Sequence, residues 1–217
     1  MKNNKRFLGL FVLVSIMYVI GLLLGNETLK FIFKPLIMLT LLLYYIKSVK
    51  RKSKLFIGAV LFSFLGDILL LYDTELLFML GLVSFLIAHI FFISMTVGML
   101  KSSTLKQKTI AAIPFLATYF GLLFLLKDSL GELLIPVVVY GFVISVFGFV
   151  SLLNHLISKS SASQYLLFGA VFFVISDSLL AINKFYEPQD YYPVIVIITY
   201  IIAQYLICKS VIINSKE

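Results

Sequence analysis

A chain of 217 residues that is 61% hydrophobic and only 13% charged, with a mean hydropathy of +1.09, cannot wrap one water-facing core in polar side chains. The formal charge of +8, from 18 basic against 10 acidic residues, would raise the question of nucleic acid in a soluble protein. The single Cys208 excludes a disulfide framework and any cysteine-based metal cage. What remains is an all-α integral membrane protein, one polytopic domain over residues 1–217.

Taken in chain order, eight stretches are predicted to cross the bilayer as helices: 7–25, 29–46, 55–72, 76–99, 109–126, 132–153, 163–182 and 191–208. The first follows "MKNNKR" but is too long for a signal peptide and lacks an A-x-A-like cleavage site, so it reads as a retained helix. The connections are short and leave no room for a soluble domain. Basic residues alternate in step with the spans. The N-terminus and every second loop carry Lys2, Lys5, Arg6, Lys47, Lys50, Arg51, Lys52, Lys54, Lys101, Lys106, Lys108 and Lys159, with Lys209 and Lys216 after the last span. The other side carries Lys30, Lys127 and Lys184 together with Glu27, Asp73, Glu75, Asp128, Glu132, Glu187 and Asp190. This bias places both termini in the cytoplasm. The excess charge is therefore a topology signal that also suits anionic headgroups, and no nucleic-acid partner is expected. The short start and compact loops point to a bacterial inner membrane.

Lys34, Asp67 and Asp177 are the three Asp, Glu, Lys or Arg residues placed inside spans. An acid at a helix centre costs about 2.5–3.5 kcal/mol on insertion scales. Such residues face the bundle interior and mark a site by default. Asp67 and Asp177 stand about five residues before the outer ends of spans three and seven, and Lys34 about five after the outer start of span two. At 1.5 Å per residue all three lie roughly 7–8 Å inside the outer boundary. The competing reading is an interhelical Lys34–Asp pair that only fixes packing.

The acids also sit on a repeat. "GDILL" (66–70) matches "SDSLL" (176–180), and the next spans carry "AHIFFI" (88–93) and "AQYLI" (203–207). Two parallel four-helix halves would follow. Around the acids, Ser63 lies one turn before Asp67, Ser176 and Ser178 flank Asp177, and Asn183 lies toward the outer mouth. Tyr200 and Gln204 share a face of the last span, and His89 lies one or two turns deeper than the acids. Two neighbouring carboxyl groups in an apolar layer cannot both ionise cheaply, so one keeps its proton while the other is charged. That supplies an acid and a base together, as glycosidases use for an oxocarbenium-like transition state. Asp67, Asp177 and His89 are also donor types a metal could use, but the two-carboxylate reading needs neither metal nor cofactor. No nucleotide-binding, zinc-protease or serine-hydrolase motif is present.

"FKPLIML" (33–39), "LFSFLGDILLL" (61–71), "FLIAHIFFI" (85–93), "FVISDSLLAINKF" (173–185) and "YIIAQYLI" (200–207) together resemble the YhhN family of eight-span membrane proteins, whose characterised animal members are lysoplasmalogenases. The resemblance runs through nearly the whole chain in order. It implies hydrolysis of the vinyl ether of a lysoplasmalogen, or a related ether lipid, to a fatty aldehyde and a glycerophospho-base. It implies Asp67 and Asp177 as the acid pair, and Lys34 with Pro35 as the K-P motif. His89, Tyr200 and Gln204 become the polar positions of spans four and eight. A small proton-coupled transporter and a non-catalytic lipid-binding protein are the alternatives that buried acids leave open.

Overall fold

The computed structural model describes residues 2–216, and side chains over 4–216. Eight helices follow one another: α1 Lys2–Leu23, α2 Glu27–Ser48, α3 Lys54–Leu69, α4 Glu75–Val97, α5 Leu105–Leu126, α6 Leu134–Ser158, α7 Ser161–Phe185 and α8 Tyr192–Asn214. Two short 3₁₀ turns, Lys127–Ser129 and Gly131–Leu133, join α5 to α6, and no strand occurs among the described residues.

Polar side chains at the ends set where the helices begin. Asn26, Ser53, Thr74 and Ser160 each accept a hydrogen bond from the backbone N–H three residues on, at 3.0–3.3 Å. Thr104 and Gln107 form a reciprocal capping box at the start of α5. The tight turn after α1 uses Gly25 at φ +63, a conformation in which a side chain would clash, and returns the Asn26 N–H to the Gly21 carbonyl at 2.8 Å.

Among the described residues seven helices are long and apolar enough to cross a membrane, so the protein is an integral, multi-pass membrane protein. The exception is α3. Its 16 residues rise only about 24 Å, short of a hydrocarbon core of ~30 Å. The span predicted to 72 overran because hydropathy counts Leu70 and Leu71 as membrane residues. Both instead lie in a tightening turn whose N–H groups return to Gly66 and Ile68.

Sequence neighbours pack as hairpins. The closest pairs are α7 with α8, α3 with α4 and α1 with α2. Close approach is bought by glycine: a Cβ on Gly66 would stand 2.6 Å from the Phe85 ring, and one on Gly169 2.7 Å from Ile207 and 3.0 Å from its backbone nitrogen. Serines tie the hairpins across the gap. Ser84 Oγ donates to the Phe62 carbonyl at 2.7 Å, Ser176 Oγ to that of Val196 at 2.9 Å, and Ser210 Oγ to that of Ala162 at 2.6 Å. Both hairpins are joined by glycines and serine-to-carbonyl bonds, at positions that do not correspond in the expected repeat. Helix α6 lies centrally against α4, α5 and α7, whereas α5 rests on α6 and barely meets α7. The α1–α2, α3–α4 and α7–α8 turns gather around a cavity at one end of the bundle. At the opposite end the α2–α3 loop meets the ends of α4 and α8.

Candidate active site

Five helices bring polar groups to that cavity, which holds about 480 Å³. Helix α2 contributes Lys34, α3 Asp67, α6 Tyr140, α7 Ser176, Asp177 and Asn183, and α8 Tyr200. Each acid is held by a tyrosine from another helix. Tyr200 Oη donates to Asp67 Oδ2 at 2.8 Å, and Tyr140 Oη donates to Asp177 Oδ2. Asp67 is only 3% exposed, whereas Asp177 is half-buried. A carboxyl oxygen fixed in this way leaves the second oxygen of each group free to give or take a proton.

The Lys34–Asp ion pair is not formed. Among the described residues the ion pairs are Lys30–Glu27 and Lys184–Asp73, the latter at 3.2 Å beside the cavity mouth, where Lys184 also lies over the Phe78 ring. Lys34 lines the same cavity without a carboxylate partner. A cation left free in an apolar layer is poised for an anion from outside the chain.

The remaining residues singled out from the sequence separate into layers. Asn183 lines the mouth, and its Oδ1 accepts from the Gln189 N–H at 2.9 Å, which pins the α7–α8 turn. Ser63 and Gln204 lie beneath the acids, fully buried, with Gln204 Nε2 donating to Ser63 Oγ at 3.0 Å. His89 is also fully buried and does not line the cavity. Its Nδ1 bonds the Phe85 carbonyl at 2.8 Å, so Nδ1 carries the proton, and its ring packs 4.5 Å from that of Phe173 and 5.7 Å from that of Tyr140. Asp67, Asp177 and His89 are therefore not gathered around one point, and no three His, Cys, Asp or Glu residues converge among the described residues. His89 Nε2 and Gln204 Oε1 are buried without a partner among the described residues, and they stand at matching places in the "AHIFFI" and "AQYLI" segments.

Ser178 turns away from the cavity. It donates to the Val174 carbonyl at 2.6 Å and borders a second, apolar hollow of about 60 Å³ between α5, α6 and α7. The residues common to both spaces are Tyr140 and Asp177. Tyr140 is the site residue that the sequence reading missed. The depth argument could have found it, since it stands six residues inside α6 from the same end of the bundle.

Together these groups offer two tyrosine-held carboxyl groups and a lysine without a carboxylate partner around one cavity of about 480 Å³. The same combination occurs along a chain whose residues 29–211 match the profile of the YhhN family. Human lysoplasmalogenase TMEM86A is 29% identical, over 76% of this chain and 67% of its own length. Mouse lysoplasmalogenase TMEM86B is 27% identical, over 83% of this chain and 74% of its own. No solved structure matches the chain.

Proposed function

The chain belongs to the YhhN family, and we propose that it hydrolyses the vinyl ether bond of a lysoplasmalogen or a related single-chain ether lipid. The products are a fatty aldehyde and a glycerophospho-base. The relatives named lysoplasmalogenases support this reading. The observation that carries it is a pair of tyrosine-held carboxyl groups on one cavity with an unpaired lysine.

Cleavage of a vinyl ether begins with protonation at the β-carbon. One carboxyl group gives its proton there, the C=C electron pair forms the new C–H bond, and the α-carbon becomes an oxocarbenium ion. Water adds to that carbon and loses a proton to the other carboxylate. The hemiacetal then collapses: its hydroxyl proton returns to the first carboxylate as the C=O forms, and the second carboxyl protonates the departing glycerol oxygen. Both acids end as they began, so neither cofactor nor metal is consumed in the sequence. The Tyr200 and Tyr140 hydroxyls orient the carboxyl groups, and Lys34 holds the phosphate of the lysolipid at the headgroup level.

Purified protein presented with a lysoplasmalogen should release aldehyde. Asp67→Asn and Asp177→Asn should each reduce the rate by about 10²–10⁴-fold, the usual worth of a positioned acid or base, with helix content by circular dichroism unchanged. Near-normal release from both folded variants would sink the mechanism.

A further inference from the structure

The two internal spaces differ in the charge on their walls and share part of one wall. The larger sets Lys34, Asp67, Asn183 and Lys184 among apolar walls, whereas the smaller has Asp177 as its one charged side chain and is faced by Leu122, Ile144 and Val174 with Thr118, Ser145 and Ser178. Tyr140 and Asp177 border both. A lysoplasmalogen has the same division: a phosphate-bearing headgroup, one hydrocarbon chain, and the vinyl ether at their junction. The β-carbon to be protonated is on the chain side of that junction, and the ether oxygen is on the headgroup side.

We infer that the apolar hollow between α5, α6 and α7 receives the alkenyl chain, and that Asp177 is the residue that protonates its β-carbon. This rests on the reaction proposed above. With the headgroup in the polar cavity and the chain in the hollow, the junction falls at Asp177, the acid both spaces share. Asp67 borders only the polar cavity, where water is available, and takes the proton that the attacking water loses. Bond changes are those already written, with Asp177 as the first carboxyl and Asp67 as the second. The hollow has room for the first methylenes. Beyond them the chain runs out between α5 and α7, which barely touch, past the exposed Thr118 and into lipid.

Two kinds of measurement on the full chain in lipid nanodiscs test this. The first uses a saturated 1-O-hexadecyl lysophosphoethanolamine with a diazirine near the ether, which has no C=C to protonate and stays intact. Photolabelling should fall on Tyr119, Leu122 or Val174. Label spread over the lipid-facing helices, or confined to α1 and α8, would overturn the assignment of the hollow. The second narrows the hollow itself, with Gly141→Val beside Tyr140 and Ala181→Leu one turn beyond Asp177, the rate on the short-chain substrate reporting any disturbance of that pair. A Cβ at Gly141 would meet the Tyr119 ring at 3.4 Å, an ordinary contact, so the first step in size is tolerated. Each variant should lower the ratio of kcat/KM for a hexadecenyl over an ethenyl lysoplasmalogen, which has no methylene to place in the hollow, by about tenfold, the effect of keeping roughly two methylenes from an apolar site. An unchanged ratio in both folded variants would overturn the proposal. Wild-type protein that labels in the hollow yet releases no aldehyde would retain the chain site and refute the reaction. Release with label elsewhere would do the reverse.

Discussion

Each aspartate of the site holds a tyrosine hydroxyl, and the two pairs differ in surroundings: Asp67 is buried against Tyr200 at the cavity wall, while Asp177 stands half-buried beside Tyr140. Removing either hydroxyl leaves a carboxyl group less well oriented, without opening a large void. Tyr200→Phe and Tyr140→Phe should each lower kcat by about 10- to 100-fold, as expected for a hydrogen bond to a charged group worth roughly 1.5–3 kcal/mol; aldehyde release under saturating substrate measures this. Lys34→Met should act differently. It should raise KM for a lysoplasmalogen while leaving kcat near normal, and should not alter turnover of a phosphate-free 1-alkenyl glycerol. A fall in kcat on both substrates would place Lys34 in the chemistry rather than in headgroup binding. Asp67, Asp177 and Lys34 were legible in the sequence because a charge inside an apolar run stands out against its neighbours. Tyr140 stands at a comparable depth but does not stand out by type, because it is one of 12 tyrosines, and a tyrosine among apolar residues is ordinary membrane-helix composition. The unpartnered atoms of His89 and Gln204 could be seen only once their surroundings were known.

At the scale of the helices, apolar runs told where helices form but not how pairs lock together. The end of α3 was misplaced because Leu70 and Leu71 are as apolar in a turn as in a helix. The close contacts make a separable prediction. Gly66→Ala forces its methyl against the Phe85 ring, and overpacking of this kind costs about 1–3 kcal/mol. Phe85→Leu in the same chain should recover most of that loss, as seen in thermal unfolding followed by circular dichroism in detergent. Gly169→Ala should resist the equivalent rescue by Ile207→Ala. There the new Cβ also meets the Ile207 nitrogen at 3.0 Å and the Ala203 carbonyl oxygen at 3.1 Å, and a backbone cannot be trimmed. Equal rescue at both sites would show that the backbone of α8 yields.

For the whole molecule, the distribution of basic residues predicts which end faces the cytoplasm. Cys208 is fully buried, so impermeant maleimides have no native target among the described cysteines, and single introduced cysteines report sidedness cleanly. On intact cells expressing the protein, Glu187→Cys at the cavity end should label from outside, and Ser102→Cys only after permeabilisation; the opposite pattern would reverse the orientation. The meeting of two spaces at the Tyr140–Asp177 pair has a further consequence under the proposed reaction. The two products have different exits and different destinations: the glycerophospho-base dissolves into water through the polar mouth, and the aldehyde diffuses sideways into the bilayer. Neither has to wait for the other, and partition between two phases would draw the hydrolysis toward completion. Bilayer volume, rather than bulk dilution alone, would then set how far accumulated aldehyde slows the next turnover.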